Sequence, residues 1–137
     1  MNRADLQRLA STRAREAQVL LDSDCYDGAY YLVGYAVECA LKACVARQTR
    51  RYDFPDKRAV IESYVHDLEK LVRAAGLTGD FALESKRDTQ FQLNWGIVKE
   101  WSEESRYSLW TKAQAEGLYK AVTDRRHGVL RWIKQHW

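Results

Sequence analysis

Apolar residues recur every three or four positions over most of this chain, the period of helices that bury one face. Leu6, Leu9, Ala10, Ala14, Ala17, Leu20 and Leu21 follow an Asn2 placed to cap, with Asp5 in the first turn. They predict one amphipathic helix over about Arg3 to Asp22. Ser23 to Gly28 reads as a turn, with Asp27 placed to cap a second helix that runs to about Arg47. So short a connection makes the two helices antiparallel neighbours. In the second helix Val33, Ala36, Val37, Ala40, Leu41 and Cys44 cover one broad side with small residues, which places it at the centre of a bundle. Its opposite side carries a narrow row of Tyr31, Tyr35, Glu38 and Lys42, a candidate contact surface.

Arg47 to Arg58 is basic and irregular, holds Pro55, and reads as an exposed, flexible loop. A third helical region is expected over roughly Lys57 to Ala75, with Val60, Ile61, Tyr64, Leu68, Leu71 and Val72 as its apolar set. Gly76 stops it, and it has room for a break near His66. Phe91, Leu93, Trp95, Ile97, Val98 and Trp101 predict a fourth helix between about Asp80 and Trp101, weakened locally by Gly96. Thr111 and Gln114 form a capping-box pattern, and Ala115, Leu118, Val122, Val129, Trp132 and Ile133 then mark a last helix to the C-terminus. No repeat, low-complexity tract or linker divides the chain, so residues 1–137 are read as a single all-α domain.

Composition narrows the classes. One proline and seven glycines are too few turn-formers for a sandwich or barrel. No apolar run resembles a signal peptide, no stretch is read as long enough to span a bilayer, and a cytoplasmic location is expected. Cys25, Cys39 and Cys44 lack paired metal-ligand spacing and are read as reduced packing residues, with no metal or cofactor expected. A net charge of +3 permits an anionic partner without demanding one. No glycine-rich phosphate loop, readable pair of catalytic carboxylates or DNA-binding motif appears, which removes most familiar enzyme classes.

The order Tyr26-Asp27-Gly28-Ala29-Tyr30-Tyr31, then Ala36-Val37-Glu38-Cys39-Ala40-Leu41-Lys42-Ala43, resembles the HEPN family of prokaryotic helical domains. So do His66-Asp67-Leu68-Glu69-Lys70-Leu71, Arg106-Tyr107 after the aromatic fourth helix, and a closing helix ending in Trp132-Ile133. The resemblance implies an antiparallel bundle of four long helices with a shorter additional helix, homodimer formation, and pairing with a minimal nucleotidyltransferase. It also implies two functional types, metal-independent ribonuclease toxins of toxin-antitoxin pairs and domains that only bind.

Catalytic members of that family carry an Arg, then four to six residues, then a His, at the start of a late helix. The matching region here, Arg106 to Ala113, contains no His. Arg106 can bind phosphate and cannot replace a base. Arg131 and His136 do have the spacing, at the end of the chain, and are the only candidate catalytic pair. Tyr31, Tyr35, Glu38, Lys42, Arg106 and Tyr107 are the candidate residues for nucleotide, RNA or partner binding. Against this stands a plain reading of Glu38 and Lys42 as a surface pair worth about 0.3 to 0.5 kcal/mol.

His66 is read as a helix-start or packing residue, with a polar contact in a pocket as the alternative, and His127 as part of a solvated basic end. The run Arg47, Arg50, Arg51, Lys57 and Arg58, with Tyr52 and Phe54 interleaved, is either a solvated loop or a strip that holds RNA. Five Trp and eight Tyr are more large aromatics than one small core readily hides, a second reason to expect a homodimer. A non-catalytic, dimeric, HEPN-like binding module is the leading expectation. A ribonuclease toxin is the alternative, and a helical accessory domain unrelated to nucleotides is the third reading.

Overall fold

Local capping sets the first helix. Asn2 Oδ1 accepts the Asp5 amide at 2.8 Å and the Asp5 carboxylate takes the Asn2 amide at 3.3 Å, a reciprocal box that starts α1, Arg3–Asp22. In the computed structural model, which describes residues 1–51 and 66–137, six further helices follow. They are α2 Tyr26–Arg51, α3 Leu68–Ala74, α4 Thr78–Arg87, α5 Thr89–Val98, α6 Lys112–Thr123 and α7 Val129–Lys134, with a 3-10 turn at Glu103–Tyr107 between α5 and α6. No strand occurs among the described residues, and the fold is all-α.

The chain leaves α1 through Asp24, whose φ of 59° is a left-handed conformation that Asp tolerates. Cys25 N–H to Leu20 O at 2.8 Å closes the reversal, so α2 runs back along α1. Asp27 does not cap α2. It lies inside the first turn, where its carboxylate accepts the backbone N–H of distant Trp110 instead. The broad side of α2 is buried as its pattern requires, from Val33 to Cys44, and Ala29, Tyr30, Glu38, Cys39, Ala43 and Val45 extend burial around the helix. Accordingly α1, α3, α6, α7 and the 3-10 turn all pack on it.

By length and composition Tyr26–Thr49 would suffice to cross a membrane, contrary to the reading of the sequence, although 72% of an 18-residue apolar window within it is buried inside the protein. Helix persists to Arg51, four residues past the expected end. The rest of the expected loop, with Pro55, and the expected helix start with Val60, Ile61 and Tyr64 lie outside the described residues. Leu68 begins α3 behind an Asp67 cap that accepts Lys70 N–H at 3.1 Å. Gly76, at φ 72°, ends it in paired reverse bonds, Leu77 N–H to Val72 O and Gly76 N–H to Arg73 O, both 3.0 Å.

Two expected long helices are broken. Instead of one helix from Asp80 to Trp101, α4 and α5 meet at an extended Asp88, φ −131°, whose carboxylate caps Phe91 N–H at 3.1 Å. The corner brings Phe81 of α4 onto Phe91, Trp95 and Trp132, with ring centroids 5.2 to 5.8 Å apart. The last helix stops at Asp124, whose carboxylate accepts the amides of Arg126 at 2.9 Å and His127 at 2.7 Å, and α7 restarts after Gly128. Two helices of 20 and 26 residues and five of 6 to 12 therefore replace four long helices and one short one among the described residues.

His127 is not a solvated end. Its Nδ1 lies 2.7 Å from Asp88 Oδ2 and its carbonyl accepts Asn94 Nδ2–H at 2.9 Å, so one residue ties both breaks together. Trp95, Trp101 and Trp132 are buried, and Trp110 and Trp137 half-buried, within the single chain. Aromatic surplus is thus no argument for a dimer.

Two predictions follow from this packing. A Cβ at Gly34 would fall 2.2 Å from the Trp101 indole, whereas one at Gly96 meets nothing within 4 Å. Gly34→Ala should destabilise by about 1–3 kcal/mol through overpacking, and Gly96→Ala should stabilise by about 0.5–1 kcal/mol in a helix interior, both read by denaturant melts. The Asp88 carboxyl is held below its ordinary value, chiefly by the His127 contact and further by the Phe91 amide. Its contribution is therefore complete above the ordinary carboxylate range near ~3.9 and is lost as pH falls through the lower folded value. Asp88→Asn should flatten the acid limb of the stability curve below about pH 4; an unchanged limb would remove Asp88 from the acid response.

Candidate functional site

A glutamate that lands among the apolar residues of a central helix needs partners, because an unpaired buried carboxylate is strongly disfavoured. Glu38 is 2% exposed. Its Oε1 lies 2.8 Å from His66 Nδ1, and its Oε2 accepts Lys42 Nζ–H at 3.3 Å, one turn along α2. The far nitrogen of the same imidazole, Nε2, stands 3.0 Å from Glu103 Oε2 at the start of the 3-10 turn. A carboxylate–imidazole–carboxylate chain thus runs from the interior to an open edge. The ring is doubly protonated if it donates to both carboxylates, since a neutral imidazole carries one N–H.

The 3-10 turn reaches α2 because Trp101 lies against the bare backbone of Gly34. That contact also covers part of the row read as a candidate contact surface, at Tyr31. Tyr31 and Tyr35 are half-buried, with Tyr31 stacked between Tyr35 at 6.0 Å and Trp101 at 5.9 Å. Glu38 is not half of a surface pair: its contact with Lys42 exists, but the carboxylate is interior and shared with His66.

Arg106 and Tyr107 end the 3-10 turn and are exposed. The Arg106 guanidinium lies over the Tyr107 ring, 4.8 Å from its centroid. The hydroxyls of Tyr107 and then Tyr31 hold it above its ordinary value. The loop beyond is braced by Trp110, which stacks on Tyr30 at 3.7 Å and donates its indole N–H to Ser105 O at 3.0 Å. Tyr31 therefore lies with Arg106 and Tyr107 where α2 meets the 3-10 turn, while Tyr35, Glu38 and Lys42 also line the cleft between α1 and α2, and the structure adds His66, Trp101 and Glu103 around Glu38 and Tyr31.

Two clefts flank Glu38. One, of about 320 Å³, is bounded by His66, Lys99, Trp101 and Glu103, with Asp67, Glu100 and Glu104 making its rim acidic. The other, of about 370 Å³, lies between α1 and α2 and is lined by Leu6, Leu9, Tyr35, Glu38, Cys39 and Lys42. Burial pushes the Cys39 thiol up to about 11 and Cys44 up to about 12, so neither is a ready thiolate nucleophile near neutral pH. Tyr35 is pushed up to about 12, first by burial and then by the neighbouring Cys39. Cys25 is exposed and does not serve as a packing residue.

The Arg131 and His136 side chains have different partners. Arg131 Nη2 reaches Glu84 Oε1 at 3.3 Å, a buried carboxylate also paired with Arg87. The His136 ring packs edgewise on Trp132 at 5.1 Å. Five positions apart on a helical turn, the two side chains project from different faces. Of the basic run, the Arg47 side chain donates to His136 O at 3.1 Å, while the side chains of Arg50 and Arg51 and residues Tyr52, Phe54, Lys57 and Arg58 lie outside the described residues. Among the described residues no three His, Cys, Asp or Glu side chains are grouped to hold a metal. Comparison with known protein families, characterised proteins and solved structures finds no match to this chain.

In the sequence His66 reads as a helix-start or packing residue before a polar contact in a pocket, because its partner Glu38 is 28 positions away and the legible neighbour is the Asp67 cap. Glu38→Ala should lower stability by about 1–3 kcal/mol, the loss expected when polar partners lose a buried acceptor but keep some access to water. Glu38→Gln should lose less. If a chemical denaturation series finds both variants as stable as the parent, Glu38 does not anchor His66.

Proposed function

We propose that this chain is a non-catalytic HEPN-like module that dimerises, partners a minimal nucleotidyltransferase in the cytoplasm, and binds nucleotide or RNA along the edge formed by Tyr31, Tyr35, Glu38, Lys42, Arg106 and Tyr107. The observation that carries the reading is Arg106, exposed and lying over Tyr107 with Tyr31 beside it. A guanidinium matches phosphate geometry, and an exposed aromatic ring beside it offers a face to an unstacked base. Exposed Leu83, Leu93 and Ile97 on α4 and α5 supply apolar area suited to self-association or a protein partner.

The binding reading is preferred to catalysis because both nitrogens of His66 are engaged by carboxylates, which leaves no free acceptor for a ribose hydroxyl in this arrangement. One observation favours the ribonuclease alternative: His66 contacts Glu103, three residues before Arg106 on the same 3-10 turn, and His and Arg are the residue types that cleavage requires, whereas Arg131 and His136 have separate partners. A helical accessory role unrelated to nucleotides is the outcome if no nucleic acid binds.

Fluorescence anisotropy with labelled single-stranded RNA tests the reading. Tyr107→Ala should weaken binding by about fivefold or more, the lower end of what a stacked base loses with its aromatic partner, and Arg106→Ala should weaken it further. The RNA should remain intact in chelator, and light scattering should give about twice the 16.0 kDa chain mass. Cleavage lost in His66→Ala or Arg106→Ala would promote the ribonuclease. Cleavage lost only in Arg131→Ala or His136→Ala would place catalysis at the chain end.

A further inference from the structure

His66 is held very differently on its two sides. Inside, Nδ1 meets a carboxylate that is buried and braced by Lys42. Outside, Nε2 meets Glu103, whose side chain is 36% exposed at the rim of the acidic cleft. The inner contact fixes the ring, since moving it would strand a buried charge. An exposed pair of the outer kind is worth at most about fivefold in an equilibrium and exchanges readily with a competing ion.

Glu103 and Arg106 stand three residues apart on the 3-10 turn. In that geometry residues i and i+3 eclipse, and they lie about 6 Å apart along the axis. An anion that took the place of the Glu103 carboxylate at Nε2 would therefore lie on the face of the turn that carries Arg106, whose guanidinium swings from the Tyr107 ring to meet it. While Glu103 is in place, it, Asp67, Glu100 and Glu104 face the cleft against only His66 and Lys99, a field that opposes an incoming anion.

We propose that Glu103 is a built-in occupant of a phosphate site whose two cationic walls are His66 Nε2 and Arg106, and that a phosphate of a single RNA strand binds there by displacing it. The proposal rests on the RNA-binding reading above and adds a residue that works against affinity. It makes Glu103 a brake on binding and Glu38, through His66, a positioning residue for the phosphate.

The test compares matched charge removals in the full chain, read by anisotropy with labelled single-stranded RNA. Glu103→Ala should tighten binding about fivefold, whereas Asp80→Ala, which removes the same charge from an exposed position on α4 outside the cleft, should change it less than twofold. Adding His66→Gln to Glu103→Ala should cancel the gain. Glu103→Gln, which keeps the shape and loses the charge, should give an intermediate gain and covers the case in which the alanine variant is poorly folded. Equal gains in the Glu103 and Asp80 variants would reduce the effect to net charge and overturn the proposal, as would weaker binding in Glu103→Ala. If Arg106→Ala still weakens binding in either case, the RNA-binding reading survives the loss of this proposal. If neither the parent nor any variant binds RNA at micromolar protein, both fall.

Discussion

A 26-residue helix buried around much of its circumference cannot rest on a single neighbour. In this chain α2 is that helix, and the remaining elements are arranged to keep water from it. Its alanines, Cys39, Cys44 and Gly34 bring neighbouring backbones and rings close, most tightly at Gly34, where only hydrogen leaves room for Trp101. The placement of Trp101 drags with it the 3-10 turn four residues wide of α5's end, and with the turn come Glu103, Arg106 and Tyr107. The candidate site is thus assembled by the same contact that seals one flank of the core.

Glu38 adds a second demand on the same helix. A carboxylate at that position has to be matched, and the match comes from Lys42 on its own helix and His66 from the segment leading into α3. The charge constrains where the chain before α3 passes over α2, while the apolar residues around it constrain only that something passes. A change at Glu38 consequently acts on stability and on the geometry of the exposed edge together, and a binding measurement on such a variant has meaning only beside a melting curve.

Features encoded within four residues were legible in the sequence, and features encoded across the fold were not. The Asn2 and Thr111 boxes and the Gly76 stop depend on side chains and backbone angles at the helix end itself, and each appears where the residues suggest. The breaks at Asp88 and Asp124 are the exception: their carboxylates accept amides two or three residues on, but the apolar period continues across both and masks them, and the His127 contact that reinforces Asp88 is 39 positions distant. Asp27 looked like a cap for the same reason in reverse: its local chemistry suits one, but the amide of Trp110, 83 positions on, engages it. The row Tyr31, Tyr35, Glu38 and Lys42 was correctly grouped by helical spacing, yet spacing says nothing about what lies opposite. The cover supplied by Trp101 and His66 turned a supposed helix surface into the wall of a cleft.

The two well-ordered histidine contacts show how a structural imidazole differs from one available for binding. His127 has its Nδ1 on Asp88 while its backbone N–H and C=O are used by Asp124 and Asn94, and those contacts close the corner between α5 and the α6–α7 turn. Of those partners Asp88 caps α5 and Asp124 ends α6, so displacing either undoes local structure. His66 has the same inner arrangement, a ring nitrogen on a carboxylate, but its outer partner Glu103 caps nothing with its side chain and stands at an open cleft. Removing Glu103 from the imidazole disturbs no helix end and leaves the ring anchored by Glu38. An imidazole fixed from within and held from without by a dispensable acid can exchange that acid for a ligand without any change in fold, and among the described histidines only His66 meets both conditions.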